Sequence, residues 1–373
     1  MKKIINALLT VSCFITTAKA QYFNKPVYNK TYYTWPVGAI KAIVANFGEL
    51  RPNHYHMGLD CRTEQVENKP VLAAADGYIA KVKVEPWGFG RVIYINHPNG
   101  HTTLYAHMND FYPALETYVK QQQYKLKSWN VFLDIPADLF PVKQGMQIGF
   151  SGNTGGSQGP HVHFEIRDTK TDKVLNPLSM GFPITDNIAP GILRLAVYDR
   201  SLSTYEQTPR IYPLKKVNGI YSVAGAGIKV NTDKVSFAIT AYDQYSGSTN
   251  QNGIYEAVLY DEGRPVCGFR MDSISYAETR YLNAHIDHRF RAAGGSYLQH
   301  LSRLPGNDGG IYKSDGNDGV IDLATGEAKN IRIIVADPNG NSSNLETSAA
   351  SSYFFNVRDK FRSVQLAAEG LVR

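Results

Sequence analysis

Between residues 161 and 167 polar and apolar side chains alternate without a break. His161, His163 and Glu165 fall on one face of an extended chain, and Val162, Phe164 and Ile166 fall on the other. Period two marks a half-buried strand whose apolar face turns to a core. The same pattern predicts short strands over 71–76, 78–84, 92–96, 102–107 and 142–151. Gly77 separates the first two, and Pro98-Asn99-Gly100 signals a hairpin turn before the strand at 102–107. Around that strand, His101, Thr103, Tyr105 and His107 read as the polar face, with Leu104 pointing the other way. Residues 110–141 interrupt the strand pattern with Tyr, Gln and Lys and predict a short helix over about 113–123.

A cluster of Pro, Asp and Asn at 183–190 marks a boundary. Beyond it the pattern predicts strands over 193–198, 235–242, 253–260, 265–271, 331–336 and 353–357. Turns rich in Gly, Asn and Asp separate them, among them Asp337-Pro-Asn-Gly-Asn341. Regular short strands with such turns suggest an immunoglobulin-like β-sandwich. The expected fold class is therefore mainly β, with an antiparallel β-sheet domain over 21–183 and a sandwich over 184–373. A chain of 373 residues is too long for one ordinary domain, and its 43% apolar content can fill more than one core.

The first twenty residues carry Lys2-Lys3, an apolar run over 4–16 and Ala18-Lys19-Ala20. They read as a signal peptide cleaved after Ala20, which places the mature chain in the periplasm or cell envelope. Cys13 admits a lipoprotein reading, but Thr10-Val11-Ser12 before it is a poor lipid-attachment motif. No later apolar run approaches the ~20 residues of a membrane span. Loss of the three leader lysines reduces the formal charge from +6 to +3, and no basic run with interleaved aromatics suggests nucleic acid. Cys61 and Cys267 are then the remaining cysteines, so a disulfide framework is not indicated.

Two imidazoles side by side on the polar face of a strand suggest metal chemistry. Upstream, His56-Met57-Gly58-Leu59-Asp60 places an imidazole and a carboxylate four residues apart, with Gly58 permitting a bend. Zn²⁺ takes nitrogen and oxygen ligands, and a catalytic zinc keeps one position for water. His56, Asp60 and one histidine of the later pair would supply three ligands. His54, His97 and His101 are further candidates by spacing alone.

Taken together, His56-x-x-x-Asp60, Tyr105-Ala106-His107 and His161-x-His163 resemble the three motifs of the lysostaphin-type (LytM-like) zinc metalloendopeptidases of bacterial peptidoglycan. The intervening Pro70-Val71-Leu72-Ala73-Ala74-Ala75-Asp76-Gly77 and Ser151-Gly152-Asn153-Thr154-Gly155-Gly156 are similar too, and the likeness covers roughly residues 35–180. It implies a β-sheet peptidase core of the duplicated hybrid motif type over 21–183, with 110–141 as an insertion that walls the groove. It also implies one zinc held by His56, Asp60 and His163, with His107 and His161 as catalytic non-ligands. The implied activity is hydrolysis of peptide cross-links in peptidoglycan, with D-alanyl–diaminopimelyl bonds favoured over glycine bridges. Members that have lost ligands serve as binding or hydrolase-activating envelope proteins, a reading that the intact set here opposes. The second half is expected to position the enzyme or bind an envelope partner.

Several features have plainer readings. Cys61 follows Asp60 directly and should face the opposite side of the strand, in the core. The loop over 152–159 lacks a Gly-Lys-Ser/Thr ending and leads into a strand, so it is not a phosphate cradle. Residues 315–322 lack the terminal Glu of a calcium loop and read as a turn. Glu165 reads as a supporting or surface carboxylate.

Overall fold

A computed structural model describes residues 22–24, 26–225, 227–324 and 326–352. The leader and the strand expected at 353–357 lie outside the described residues. The protein is mainly β. In the first half, β1 (Ile43–Ala45), β2 (Leu59–Arg62), β3 (Gly77–Val84), β4 (Arg91–Asn96), β5 (His101–Ala106), β6 (Val131–Asp134) and β7 (His161–Asp168) pair in the order β1-β2-β7-β5-β4-β3-β6. Every pairing along that path is antiparallel.

The alternating stretch forms the central strand, β7. Val162, Phe164 and Ile166 are fully buried on its apolar face, where Phe164 packs edge-on against Tyr105 at 5.3 Å. Burying a ring of that size contributes about 2–3 kcal/mol. The polar face is buried as well, since His163, Glu165 and Arg167 are all covered. It is therefore not the wet face that alternation alone suggests.

The insertion folds onto the sheet. Residues Pro113–Leu126 form helix α1, opened by a proline at its first turn and closed by Lys127 in a left-handed conformation with φ 53°. Leu115 and Val119 of α1 are buried, and Glu116 pairs with Arg91 of β4. Strands Pro70–Leu72, Met108–Phe111 and Gln147–Ser151 form a separate three-stranded sheet.

Short strand β8 (Val174–Leu175) precedes the segment at 183–190. The second half then contains β9 (Gly191–Asp199), β10 (Arg210–Val217), β11 (Ile220–Val223), β12 (Lys234–Tyr242), β13 (Glu256–Asp261), β14 (Arg264–Arg270), β15 (Ser273–Ile274), β16 (Lys329–Ala336) and β17 (Ser342–Ser351). All of these except β15 pair along one path, β12-β9-β10-β11-β17-β16-β13-β14, with β11 and β17 parallel. The two limbs share an apolar cluster that includes Phe237 and Ile239 of one and Leu259, Phe269 and Ile333 of the other.

The halves are in direct contact. β8 pairs with both β7 and β15, so the first sheet takes in a strand from beyond residue 190. The Asn46 side chain donates to the Gly253 carbonyl at 2.7 Å and accepts from its N–H at 3.0 Å. At Gly48 the chains approach so closely that a Cβ would stand 2.9 Å from Met271 Cγ.

Candidate metal centre and its groove

Register explains why the three expected ligands meet. β2 and β7 are antiparallel neighbours with Asp60 directly opposite His163 and Cys61 opposite Val162. Residues opposite one another share a face, so the pairing sends Asp60 to the histidine side and Cys61 into the core. Cys61 is fully buried there and makes no approach to the histidines. His56 enters from the hairpin of Leu50–Arg51 and His54–Tyr55. The chain bends at Gly58, as expected, and the glycine also permits close approach, because a Cβ would meet the Phe164 carbonyl oxygen at 2.5 Å and the His163 ring at 2.9 Å.

One ligand atom from each of His56, Asp60 and His163 lies within 4.8 Å of the others. Asp60 Oδ1 is 2.9 Å from His56 Nε2 and 3.0 Å from His163 Nδ1, and those two nitrogens are 3.0 Å apart. The far side of each ring is committed. His56 Nδ1 donates to the Asn46 carbonyl at 2.7 Å, and His163 Nε2 donates to Glu165 Oε1 at 2.9 Å. Both remaining nitrogens therefore present lone pairs to one point beside a carboxylate. Such an arrangement requires a cation or a proton at its centre, and two imidazoles with one carboxylate match the donor set of zinc.

The electrostatics agree. Burial works against a charge on His163, yet its bonds to Asp60 and Glu165 outweigh this and push it up to about 9. Burial lowers His56 despite the opposing pull of Asp60. Asp60 is held well below the usual carboxylate range by the neighbouring imidazoles, although burial opposes them. In the metal-free protein a proton on His163 thus neutralises the centre. Arg51 holds the other Asp60 oxygen, Oδ2, at 2.7 Å and leaves Oδ1 for the site.

His107 and His161 flank the three. Their rings lie 4.8 Å apart, and His107 is 6.0 Å from the His163 ring. His107 does not arrive on the polar face of a strand, as alternation predicts. β5 ends at Ala106, Thr103 and Tyr105 point into the core, and Leu104 and Ala106 lie on the side of Glu165 and His163. A left-handed turn at His107, φ 60°, throws its ring back to the site. His107 Nδ1 donates to the Thr154 carbonyl at 2.8 Å and His161 Nδ1 to the Gly159 carbonyl at 2.7 Å, so the loop over 152–159 orients both. Gly155, at φ 72°, fits there because a Cβ would lie 2.4 Å from the Gly90 nitrogen. Burial, with the neighbouring His163 and His161, takes His107 down to about 3 and keeps it neutral.

The other histidines lie elsewhere. His54 is exposed and bonds to the Pro52 carbonyl. His97 is held by Asp76 and Thr103, and His101 by Tyr33.

Three further residues contribute, and of these only Glu165 is marked by the sequence, as a supporting or surface carboxylate on the histidine face. Arg51 is one. Glu165 is fully buried and bonded to His163, to Arg167 Nε at 2.7 Å and to the Tyr276 hydroxyl at 2.6 Å. Tyr276, from the second half of the chain, is thus linked to a ligand through one carboxylate. Only spatial proximity could have revealed that link.

Asp60, His107 and His161 open onto a groove of about 1580 Å³. Its walls include Val44, the glycine-rich loop at 156–160, and Gly247 and Asn250 of the second half. None of residues 110–141 lines it, which corrects the expectation that the insertion walls the groove; α1 packs along Met108–Phe111 instead, with Glu116 paired to Arg91.

Part of the chain is similar to known proteins. The profile of peptidase family M23 matches residues 54–124 and 140–177. A protein of Haemophilus influenzae described as an uncharacterized metalloprotease is 32% identical over 140 residues, covering 38% of this chain and 23% of that protein. The DD-carboxypeptidase/endopeptidase Mpg of Neisseria meningitidis is 34% identical over 128 residues, covering 34% and 23%. The chain thus spans about a quarter of the length of these relatives. A zinc-containing peptidase from Vibrio cholerae aligns over 40% of this chain and 39% of its own, at 22% identity and TM-score 0.29. Over residues 54–124 and 140–177, then, the chain is similar to peptidase family M23.

Proposed function

We propose that the protein is an exported zinc endopeptidase that hydrolyses peptide cross-links of bacterial peptidoglycan, preferring D-alanyl–diaminopimelyl bonds. The observation that carries this reading is the convergence of His56 Nε2, Asp60 Oδ1 and His163 Nδ1 beside a groove onto which Asp60, His107 and His161 open. When bound there, zinc polarises a scissile carbonyl and lowers the pKa of water toward ~7. The remaining tasks fall to side chains of this chain. Asn46 and Glu165 fix the tautomers of the two ligand imidazoles. His107 keeps Nε2 free because Nδ1 is spent on Thr154, and a neutral imidazole so placed can take a proton from attacking water. His161, likewise oriented through Nδ1, can donate from Nε2 to a developing oxyanion or to the leaving amine once that nitrogen has taken up the proton released by the attacking water. The two share these roles.

Export rests on the leader, with cleavage after Ala20, and an N-terminus beginning at Gln21 is expected when the secreted protein is weighed. Among the described residues no helix is long and apolar enough to cross a membrane. The test of function is digestion of defined muropeptides by the purified protein, read by mass spectrometry. Cross-linked dimers should fall to monomers. Cutting of pentaglycine alone would overturn the bond assignment, and zinc-loaded protein that cuts nothing would favour a binding or activating role.

A further inference from the structure

Three aspartates meet away from the histidines. Asp186 lies in the segment at 183–190, Asp243 follows β12 and Asp337 follows β16. One carboxylate oxygen from each lies within 4.8 Å of the others, and all three residues are buried. Like charges this close and this dry cannot all ionise without compensation. Bonds within the chain cover part of the set. Asp337 Oδ1 accepts from the Gly340 and Asn341 N–H groups at 2.7 and 2.8 Å, and its Oδ2 accepts from Asn341 Nδ2 at 2.7 Å. Asp186 Oδ1 accepts from the Ile188 N–H at 3.1 Å. Asp186 Oδ2 and both oxygens of Asp243 are buried without a hydrogen-bond donor.

A second observation is independent of the carboxylates. Asn252 is 3% exposed, and its Nδ2 donates to the Asn250 carbonyl at 3.3 Å, while its Oδ1 is buried and meets no donor. Asn252 and Asp243 form an antiparallel bridge with backbone bonds of 2.9 and 2.8 Å, so both side chains leave on one face. Buried oxygens in native proteins have partners. Four unpartnered oxygens, gathered around two bridged residues and a neighbouring carboxylate, call for a positive ligand. The set holds oxygen only, with no imidazole or thiolate, which selects a hard cation over zinc.

We propose that Asp186, Asp243, Asp337 and Asn252 form a binding site for a divalent cation of the calcium type, which fixes the base of the loop at 243–252. That loop has a role at the groove. Gly247 and Asn250 line it, and Asn250 Nδ2 donates to the Val44 carbonyl at 2.9 Å. The next residue after the loop, Gly253, is clasped by the Asn46 side chain, and the Asn46 carbonyl holds His56. The cation thus ties the linker segment and two strand ends to the wall of the groove. Without it, burial and then the charges of Asp186 and Asp337 push Asp243 up to about 7, and the Gln244 N–H pulls it back less, without a well-directed bond. The proposal stands whether or not the protein is a peptidase.

The test is calorimetric titration of the zinc-loaded full chain with calcium chloride, paired with thermal melts at pH 7.5. One calcium per chain and a rise in Tm of about 5 °C at millimolar calcium are expected. Asp243→Asn should abolish the rise, and its calcium-free Tm should equal or exceed that of the unaltered protein, since a like charge is removed. Tyr245 is buried within the reach of the charges of all three aspartates, so should that variant not fold, terbium emission sensitised through it and displaced by calcium gives the same reading on the unaltered chain. Absence of binding heat, of a Tm shift and of calcium-displaceable terbium emission would overturn the proposal. So would an Asp243→Asn variant that keeps the full shift.

Discussion

His107 and His163 lie 6.0 Å apart by ring centre, yet their surroundings give them separate work, and single substitutions should distinguish them. His163→Ala removes a ligand and should lose zinc and activity together. His107→Ala should keep one zinc per chain while kcat falls by ~10²-fold or more, the scale of a missing proton-transfer group. Metal content beside turnover decides it, and near-full turnover in His107→Ala would contradict the role assigned. All five candidate site residues are legible in the sequence through the family motifs they resemble, since spacing alone leaves His54, His97 and His101 open. The route by which His107 arrives is not, because alternation assumes an unbroken strand and a left-handed residue at 107 reverses the face. Glu165 looked peripheral because a sequence does not reveal what covers a strand; Phe89 lies over His163 at 5.6 Å and Tyr276 over Arg167 at 4.9 Å.

At the scale of elements, β7 connects ligand, carboxylate and the second half of the chain through alternate residues. Tyr276→Phe deletes the hydroxyl that holds Glu165, and zinc affinity should weaken by ~10-fold, the lower end of such outer partners. Competition with a chromophoric chelator measures this, and unchanged affinity would contradict the link. The strand ends at Asp243 and Asp337 make a second prediction, in pH. A carboxyl raised from 3.8 to about 7 binds more protons folded than unfolded across that interval. Stability of calcium-free protein should therefore fall as pH rises from about 4 to 7. The groups facing Asp243 are Asp186 and Asp337, whose charges add to the effect, and the buried Tyr245 hydroxyl, which stays neutral across that interval. Melts of Asp243→Asn should lack that part of the slope, and an identical slope would contradict it. Strongly alternating elements such as β3, β4, β7 and β12 were readable. β10 and β17 were not, because β10 is largely exposed and β17 is built mostly of Ser, Ala, Asn and Thr, so neither has a bulky apolar face to announce it.

At the scale of the molecule, the groove is a joint product of both halves. Residues 35–180 were legible as one functional unit because the chemistry is concentrated in three short motifs. The contribution of 243–253 was not, since turn-like Gly, Ser, Thr and Asn in that stretch give no hint of what they pack against. Asn46 shows why: its side chain holds Gly253 while its carbonyl holds His56, so one residue transmits a contact from across the fold to a ligand.

The central claim is that one metal ion is gripped by His56, Asp60 and His163. X-ray absorption at the zinc edge on reconstituted protein tests it most directly. One zinc per chain with nitrogen and oxygen neighbours alone, at about 2.0–2.2 Å, is the expected result. Failure to retain zinc, or a sulfur neighbour near 2.3 Å that would bring Cys61 out of the core, would contradict it.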